Sequence, residues 1–211
     1  CILDNQRFVL ESVTSLNDSL IEALTHVPGI HSVVKASKIA QDYDAIMPEI
    51  IKQLSNMDSL PNTFAVRTQR SDKRFPYTSM EVSREVGHDV LESFSSMNVD
   101  LFNPDLWIDI KITTKNIYIS TEILRGVGGI PVGTSGHVVS LLSGGFDSPV
   151  ASYLLAKRGC QLTLVFFHAY PFIGDEVTVK IKALAKQLSR YQPSLNLYII
   201  PFGDMQKKIV A

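Results

Sequence analysis

The sequence predicts a mixed chain, part α+β and part α/β, and three observations carry that reading. Residues 107–112 and 117–121 alternate apolar and polar side chains, as half-buried antiparallel strands do. Beyond residue 133 the pattern becomes strand–helix–strand–helix–strand with near-continuous apolar strands, which predicts a parallel sheet covered on both faces. Between the two patterns lies Gly126-Val127-Gly128-Gly129-Ile130-Pro131-Val132-Gly133, a glycine-rich stretch broken by proline and the best domain boundary.

The elements follow in order. Arg7 to Leu10 reads as a short strand. A helix through Leu16, Leu20, Ile21 and Leu24 carries an apolar stripe at helical spacing, and Pro28-Gly29 ends it. Ile30 to Val34 reads as a strand, so residues 1–36 resemble half of an α+β sandwich. A helix lies within Asp42 to Leu54, where Pro48 calls for a late start or a kink. Thr63 to Thr68 is a strand, and the polar, basic run from Arg70 to Tyr77 is a loop. Thr78-Ser79-Met80-Glu81 fits a capping box, and Val82, Val86, Val90, Phe94 and Met97 give the following helix one buried face. In the last segment, His137 to Leu142, Leu162 to Phe167 and Leu195 to Ile200 read as strands. Helices are expected over Pro149 to Arg158 and Val177 to Arg190. Both ends read as cut, because the chain opens without Met and closes on what looks like the opening of a helix, so a fragment of a longer protein is expected.

Composition narrows the class. The 211 residues are 45% hydrophobic and 19% charged, enough apolar material for a sizeable core. The formal net charge of −1 means that any nucleic-acid surface must be a local patch. Two cysteines, Cys1 and Cys160, do not make a disulfide scaffold, so a reducing cytoplasm is the simplest setting. No apolar run approaches the length of a membrane span, and no membrane partner is expected.

The sharpest feature is Ser143-Gly144-Gly145-Phe146-Asp147-Ser148, between a strand and a helix. Ligands bind at such strand ends in open α/β sheets. Two glycines let backbone amides approach a phosphate and adopt angles that other residues resist. Ser143 and Ser148 offer hydroxyls. Ser148 suits the N-cap, with Pro149 at the first helical position, and the helix start supplies partial positive charge. Asp147 would repel phosphate unless it helps hold Mg²⁺ or orients the loop amides. The loop is neither a Walker A motif nor a dinucleotide fingerprint.

These residues resemble the SGGxDS loop of the PP-loop ATP pyrophosphatase superfamily. The resemblance implies ATP cleaved between its α and β phosphates, an adenylylated substrate, and ATP with Mg²⁺ as cofactors. The nucleotide would contact Ser143, Gly144, Gly145, Asp147 and Ser148. By the same resemblance, adenine sits over the ends of the first two strands of this region, near Leu141, Leu142, Phe166 and Phe167. Core packing is the competing reading for the two phenylalanines. His168 ends the second strand and is read as a structural or edge residue.

From Arg67 to Arg84 the chain has five basic residues and two acidic ones, with Phe75 and Tyr77 among them. Such a loop can meet phosphate and stack on a base, or can simply be a solvated turn whose aromatics cover the core. Phe64-Ala65-Val66-Arg67, Arg70, Lys73-Arg74-Phe75-Pro76, Thr78-Ser79-x-Glu81 and Val99-Asp100-Leu101-x-x-Pro104-Asp105 resemble the THUMP domain. That resemblance implies RNA binding through Arg67, Arg70, Lys73 and Arg74.

The order of parts, a partial ferredoxin-like piece (1–36), a THUMP domain (37–126) and a truncated PP-loop domain (127–211), is similar to the tRNA 4-thiouridine synthetase family. Gly128 to Gly133 and Ser143 to Ala151 match that family closely. The resemblance implies a tRNA sulfurtransferase that adenylylates uridine 8 of tRNA. Sulfur would come from a persulfide-carrying cysteine desulfurase or a similar donor, with a second role in thiamine thiazole synthesis. It also implies tRNA as partner and a homodimer. The catalytic residues and the sulfur-accepting cysteine are expected beyond Ala211, and Cys160 reads as structural. Residues 1–211 alone are expected to bind tRNA weakly and not to complete thiolation. The competing readings are a PP-loop synthetase acting on a small molecule and a noncatalytic tRNA-binding protein.

Overall fold

A computed structural model describes residues 2–4, 7–11, 17–169 and 174–210. Cys1, Leu16 and Ala211 lie outside the described residues. By internal contacts the chain divides into Val34–Ile123 and a second unit made of Cys1–Val33 with Leu124–Ala211.

The chain opens with β1 (Ile2–Asp4) antiparallel to β2 (Arg7–Val9). Then comes α1 (Asp18–Thr25), whose start is capped by Asn17 accepting from the Ser19 amide. β3 (Ser32–Ala40) is longer than the strand expected from the sequence and runs from one unit into the other.

In the unit 34–123, α2 (Ile46–Ser55) starts late, so Pro48 sits in the first turn. Its missing amide costs no helical hydrogen bond there, and no kink is required. β4 (Thr63–Arg70) leads through the basic loop into α3 (Ser79–Ser93). The capping box forms as the sequence predicts: the Glu81 amide donates to Thr78 Oγ1 at 3.2 Å, and the Thr78 amide donates to Glu81 Oε2 at 2.7 Å. Phe94 serves as the C-cap, so Met97 packs from the following turn and not from the helix itself.

β5 (Asn98–Val99), β6 (Leu106–Ile112) and β7 (Asn116–Arg125) complete a five-stranded sheet in the order β3-β7-β6-β4-β5. β6 and β7 are antiparallel, as their alternation suggests. β6 also pairs with β4 in parallel, and so does β5, which the sequence reading missed. The core lies between the sheet and the two helices: Ile50, Leu54, Phe64, Val82, Val86, Val90, Ile108 and Ile119 are fully buried. Each such side chain contributes about 1.5–3 kcal/mol of hydrophobic free energy relative to exposure.

The second unit holds a three-stranded parallel sheet, β8 (His137–Leu141), β9 (Gln161–His168) and β10 (Asn196–Pro201), in the order β10-β9-β8. α4 (Asp147–Lys157), α5 (Asp175–Leu188) and α6 (Gly203–Val210) connect and follow the strands. α4 and α5 touch each other and the sheet, so they share one face. Leu142, Leu164, Phe166, Ile181 and Leu188 fill that side. The expectation of a sheet covered on both faces fails among the described residues. Side chains alternating to the other face are open, with Val139 61%, Leu141 62%, Tyr198 57% and Phe167 41% exposed.

The glycine-rich stretch is not a loose tether. The Gly126 amide donates to the His31 carbonyl, Gly128 to Ile30, and Gly29 to Gly128, at 2.8–2.9 Å. A Cβ at Gly126 would stand 2.2 Å from the Ile30 carbonyl oxygen, so this close pairing requires glycine. Within the same unit Arg190 reaches Glu22 at 2.5 Å, and the His26 and Tyr191 rings meet at 5.4 Å.

Candidate phosphate loop and nucleic-acid interface

Residues 142–146 run from the carboxyl end of β8 to the start of α4, where an α/β sheet presents its ligands. A serine ladder sets the loop. Ser152, fully buried on α4, meets Ser140 of β8 at 2.8 Å and donates to the Ser148 carbonyl at 2.8 Å. Ser148 Oγ then accepts from the Ser143 amide at 2.8 Å and lies 3.0 Å from Ser143 Oγ. Ser140 and Ser152 were absent from the sequence reading. Two serines twelve apart, one on the strand and one on the helix, are the signal that could have found them.

The helix start differs from the expected one. Phe146 holds the cap position in helical conformation, with no side-chain cap hydrogen bond, and Asp147, not Pro149, is the first helical residue. Ser148 is therefore inside the first turn and braces the loop instead of capping the helix. The glycines also act differently from expectation. Neither Gly144 nor Gly145 has a positive φ, and an added Cβ would meet only ordinary contacts at 3.7 and 3.6 Å. Protein geometry alone would accept alanine there, so what glycine preserves is space on the open side of the loop. Phe146 is 86% exposed, with Lys180 Nζ 5.8 Å from its ring centre. Asp147 is exposed, and no group of three or more metal-ligating side chains occurs among the described residues.

The four apolar residues divide by face. Leu142 and Phe166 are buried in the core beside α5, while Leu141 and Phe167 lie on the open face. The Leu142 amide is bonded to the Val165 carbonyl at 2.8 Å, and Phe166 pairs with Ile199 of β10 in the central strand. His168 has its Nε2 buried with no hydrogen-bond partner among the described residues. Cys160 follows α4 at the opposite end of the strands from the loop, its amide bonded to the Leu155 carbonyl and its Sγ 3.9 Å from the Ser135 carbonyl.

The basic loop in the other unit is more structured than its charge suggests. Arg67 forks onto Asp109 at 2.6 and 3.0 Å and lies over the Trp107 ring at 5.0 Å, so its charge is largely neutralised across the strand pair. Arg70 donates to the Phe75 and Tyr77 carbonyls at 3.0 and 2.6 Å and holds the loop in shape. Phe75 is buried in the core, leaving Tyr77 as the exposed ring of the pair. Asp72, buried, accepts from the Arg74 guanidinium and amide and from Gln41. The Arg74 hydrogen bonds hold the Asp72 carboxyl well below its usual range, to about 2. Arg74 nonetheless keeps most of its side chain in solvent (81%), and Lys73 is exposed with no ion-pair partner among the described residues. Of the four cations read from the sequence, two therefore serve the fold and two face outward.

Comparison with known proteins places both regions. The THUMP-domain family matches residues 39–122, and the family described as thiamine biosynthesis protein (ThiI) matches residues 133–211. A probable tRNA sulfurtransferase of Clostridium kluyveri is 38% identical over 99% of this chain and 54% of its own length. Another, of Halothermothrix orenii, is 42% identical over 92% of this chain and 51% of its own. The chain thus spans about half the length of the curated relatives it matches. A crystal structure of a 4-thiouridine synthetase–RNA complex with bound ATP superposes with a TM-score of 0.78 at 28% identity, over 95% of this chain and 52% of that one. In sequence, element order and fold, the chain is similar over nearly its whole length to about half the length of the tRNA sulfurtransferases, with a THUMP-family region at residues 39–122 followed by a ThiI-family region at residues 133–211.

Proposed function

We propose that this chain supplies the RNA-binding and phosphate-binding parts of an ATP-dependent tRNA sulfurtransferase that converts uridine 8 of tRNA to 4-thiouridine. The observation that carries the reading is a helix start left uncapped behind a serine-braced glycine loop, in a chain that also contains a THUMP domain. Relatives over its whole length are named as tRNA sulfurtransferases, and the 4-thiouridine synthetase structure it resembles contains RNA and ATP.

The residues present suit a nucleotide phosphate. The open amides of the first turn of α4 and the positive end of its dipole favour an anion. Ser143 and Ser148 add hydroxyls, and the lack of side chains at Gly144 and Gly145 leaves the approach clear. ATP supplies an adenylyl group that turns the uridine 4-oxygen into a leaving group. This chain's part is to grip the departing phosphates and hold the reacting ends in place. Asp147, exposed at the first helical position, would hold Mg²⁺ through water, because one carboxylate alone is an incomplete ligand set. The adenine would lie over the ends of β8 and β9, near Leu141, Leu142, Phe166 and Phe167.

In the THUMP domain, Lys73 and Arg74 would meet tRNA phosphates, with Arg67 and Arg70 shaping the surface that presents them. Replacing Lys73 and Arg74 should weaken tRNA binding and lower its salt slope by about two. A persulfide-bearing desulfurase would deliver the sulfur, association as a homodimer belongs to the same family reading, and the unpaired Cys160 suits a reducing cytoplasm. Delivery of sulfur to the thiamine thiazole is a second destination, carried by the family description of residues 133–211.

The test is thiolation by the full-length protein from the same reading frame, given unmodified tRNA, Mg-ATP and a persulfide donor. Thiolated tRNA with AMP and pyrophosphate is the expected result. AMP without thiolated tRNA would move the substrate elsewhere. Bound tRNA without AMP would remove the phosphate-loop assignment.

A further inference from the structure

The glycine loop carries no cation of its own. Between Ser140 and Ser152 the one ionisable side chain is Asp147, an acid. A helix start offers only a partial positive charge, so a polyphosphate held there needs a full cation from another element.

α5 is placed to supply it. β8 and β9 are parallel, so the glycine loop and the start of α5 share the carboxyl end of the sheet. The first turn of α5 packs on the loop: a Cβ at Gly144 would stand 3.7 Å from Val177 Cγ1. Lys180 follows Val177 by three residues and so lies on the same face of the helix. Helical side chains lean toward the helix start, and here Nζ stands 5.8 Å from the Phe146 ring centre. Lys180 is exposed and has no ion-pair partner among the described residues.

Phe146 has little to do in the core. At the cap position of α4 its ring is 86% exposed, so it buries little apolar surface and offers a face to the ammonium. An exposed contact of this kind is weak. It biases a flexible four-carbon arm toward the loop, and it yields when an anion offers charge-assisted hydrogen bonds.

We propose that Lys180 is the cation of the phosphate site, and that Phe146 positions it there. The ammonium passes from the ring face to the β- and γ-phosphate oxygens of ATP and holds the same oxygens in pyrophosphate. The role is one of binding: Lys180 donates hydrogen bonds, and no covalent bond to it forms or breaks. The proposal rests on the ATP-dependent reading of the glycine loop.

The experiment follows AMP formation by the full-length protein with unmodified tRNA and a persulfide donor, varying Mg-ATP and added pyrophosphate. Lys180→Ala should raise KM for ATP about tenfold and weaken inhibition by pyrophosphate by a similar factor, with tRNA affinity within about twofold of wild type. Lys180→Arg, which keeps the charge, should recover most of both losses. Phe146→Leu should raise KM about two- to threefold and leave kcat in place, as loss of a positioning contact does. Unchanged KM and pyrophosphate inhibition in Lys180→Ala would overturn the proposal. So would a matching loss of tRNA affinity, which would mean that the lysine acts through the fold. No AMP from the wild-type protein would remove the ATP-dependent reading itself, and the lysine with it.

Discussion

Two helix starts in this chain are built to opposite ends. At α3 the side chains of Thr78 and Glu81 each satisfy a backbone amide, and the turn is closed by its own residues. At α4 the cap position is a phenylalanine with no side-chain bond, although Ser143 and Ser148 stand close by. Those hydroxyls are spent on each other and on the loop backbone. A helix start sealed by its neighbours contributes to the fold, whereas one without a side-chain cap leaves its first amides without side-chain partners.

Five substitutions would break or sharpen that contrast. The largest effect belongs to α4: Asp147→Ala in the full-length protein should lower ATP-dependent AMP formation by about 100-fold or more while tRNA affinity holds. Equal losses in both would show that α4 acts through the fold. Next is Ser152→Ala, which leaves the Ser140 hydroxyl buried without its partner and should cost about 1–3 kcal/mol in a denaturant titration. A change under a few tenths would mean that the ladder does not hold the loop.

Thr78→Ala should cost about 1 kcal/mol, with AMP formation by the full-length protein unchanged. Its partner gives the pH test. The Thr78 amide holds the Glu81 carboxyl below its ordinary value of 4.5, so the folded state favours the ionised form. That contribution is complete above about pH 4.5 and fades as pH falls through the lowered value. Glu81→Ala should therefore be less stable than wild type at pH 7 and converge on it in acid. A gap that stayed constant with pH would exclude the charged cap. The smallest effect is expected from Arg67→Ala, whose half-exposed pair with Asp109 contributes no more than about 1 kcal/mol.

Local features were legible in the sequence because their signals are local. The capping box, the six-residue loop between β8 and α4 and the alternation of β6 and β7 all lie within short windows. What was missed depends on partners far along the chain. Alternation says which side of a strand is buried and nothing of the direction of its neighbour, so the parallel pairing of β6 with β4 was invisible. Arg67 read as a free cation because Asp109 lies 42 residues away. Phe75 and Tyr77, two apart in one loop, had equal claim to a base until the fold buried the first. The continuous apolar run of β9 suggested cover on both faces, yet composition cannot say what does the covering. At α4, Ser148-Pro149 is a fair cap signal, and the serine ladder moved the helix start two residues earlier.

The uncovered side of the three-stranded sheet has a practical consequence for anyone who handles these 211 residues in isolation. Val139, Leu141, Phe167 and Tyr198 leave apolar surface exposed on one face of the sheet, while the chain as a whole is nearly neutral. Little charge repulsion then keeps molecules apart, and salts that strengthen apolar contact push them together. The isolated chain should cloud at lower ammonium sulfate concentrations than a variant carrying Leu141→Lys and Tyr198→Lys. Its colloidal behaviour should then follow the open face of the sheet that leads into the glycine loop.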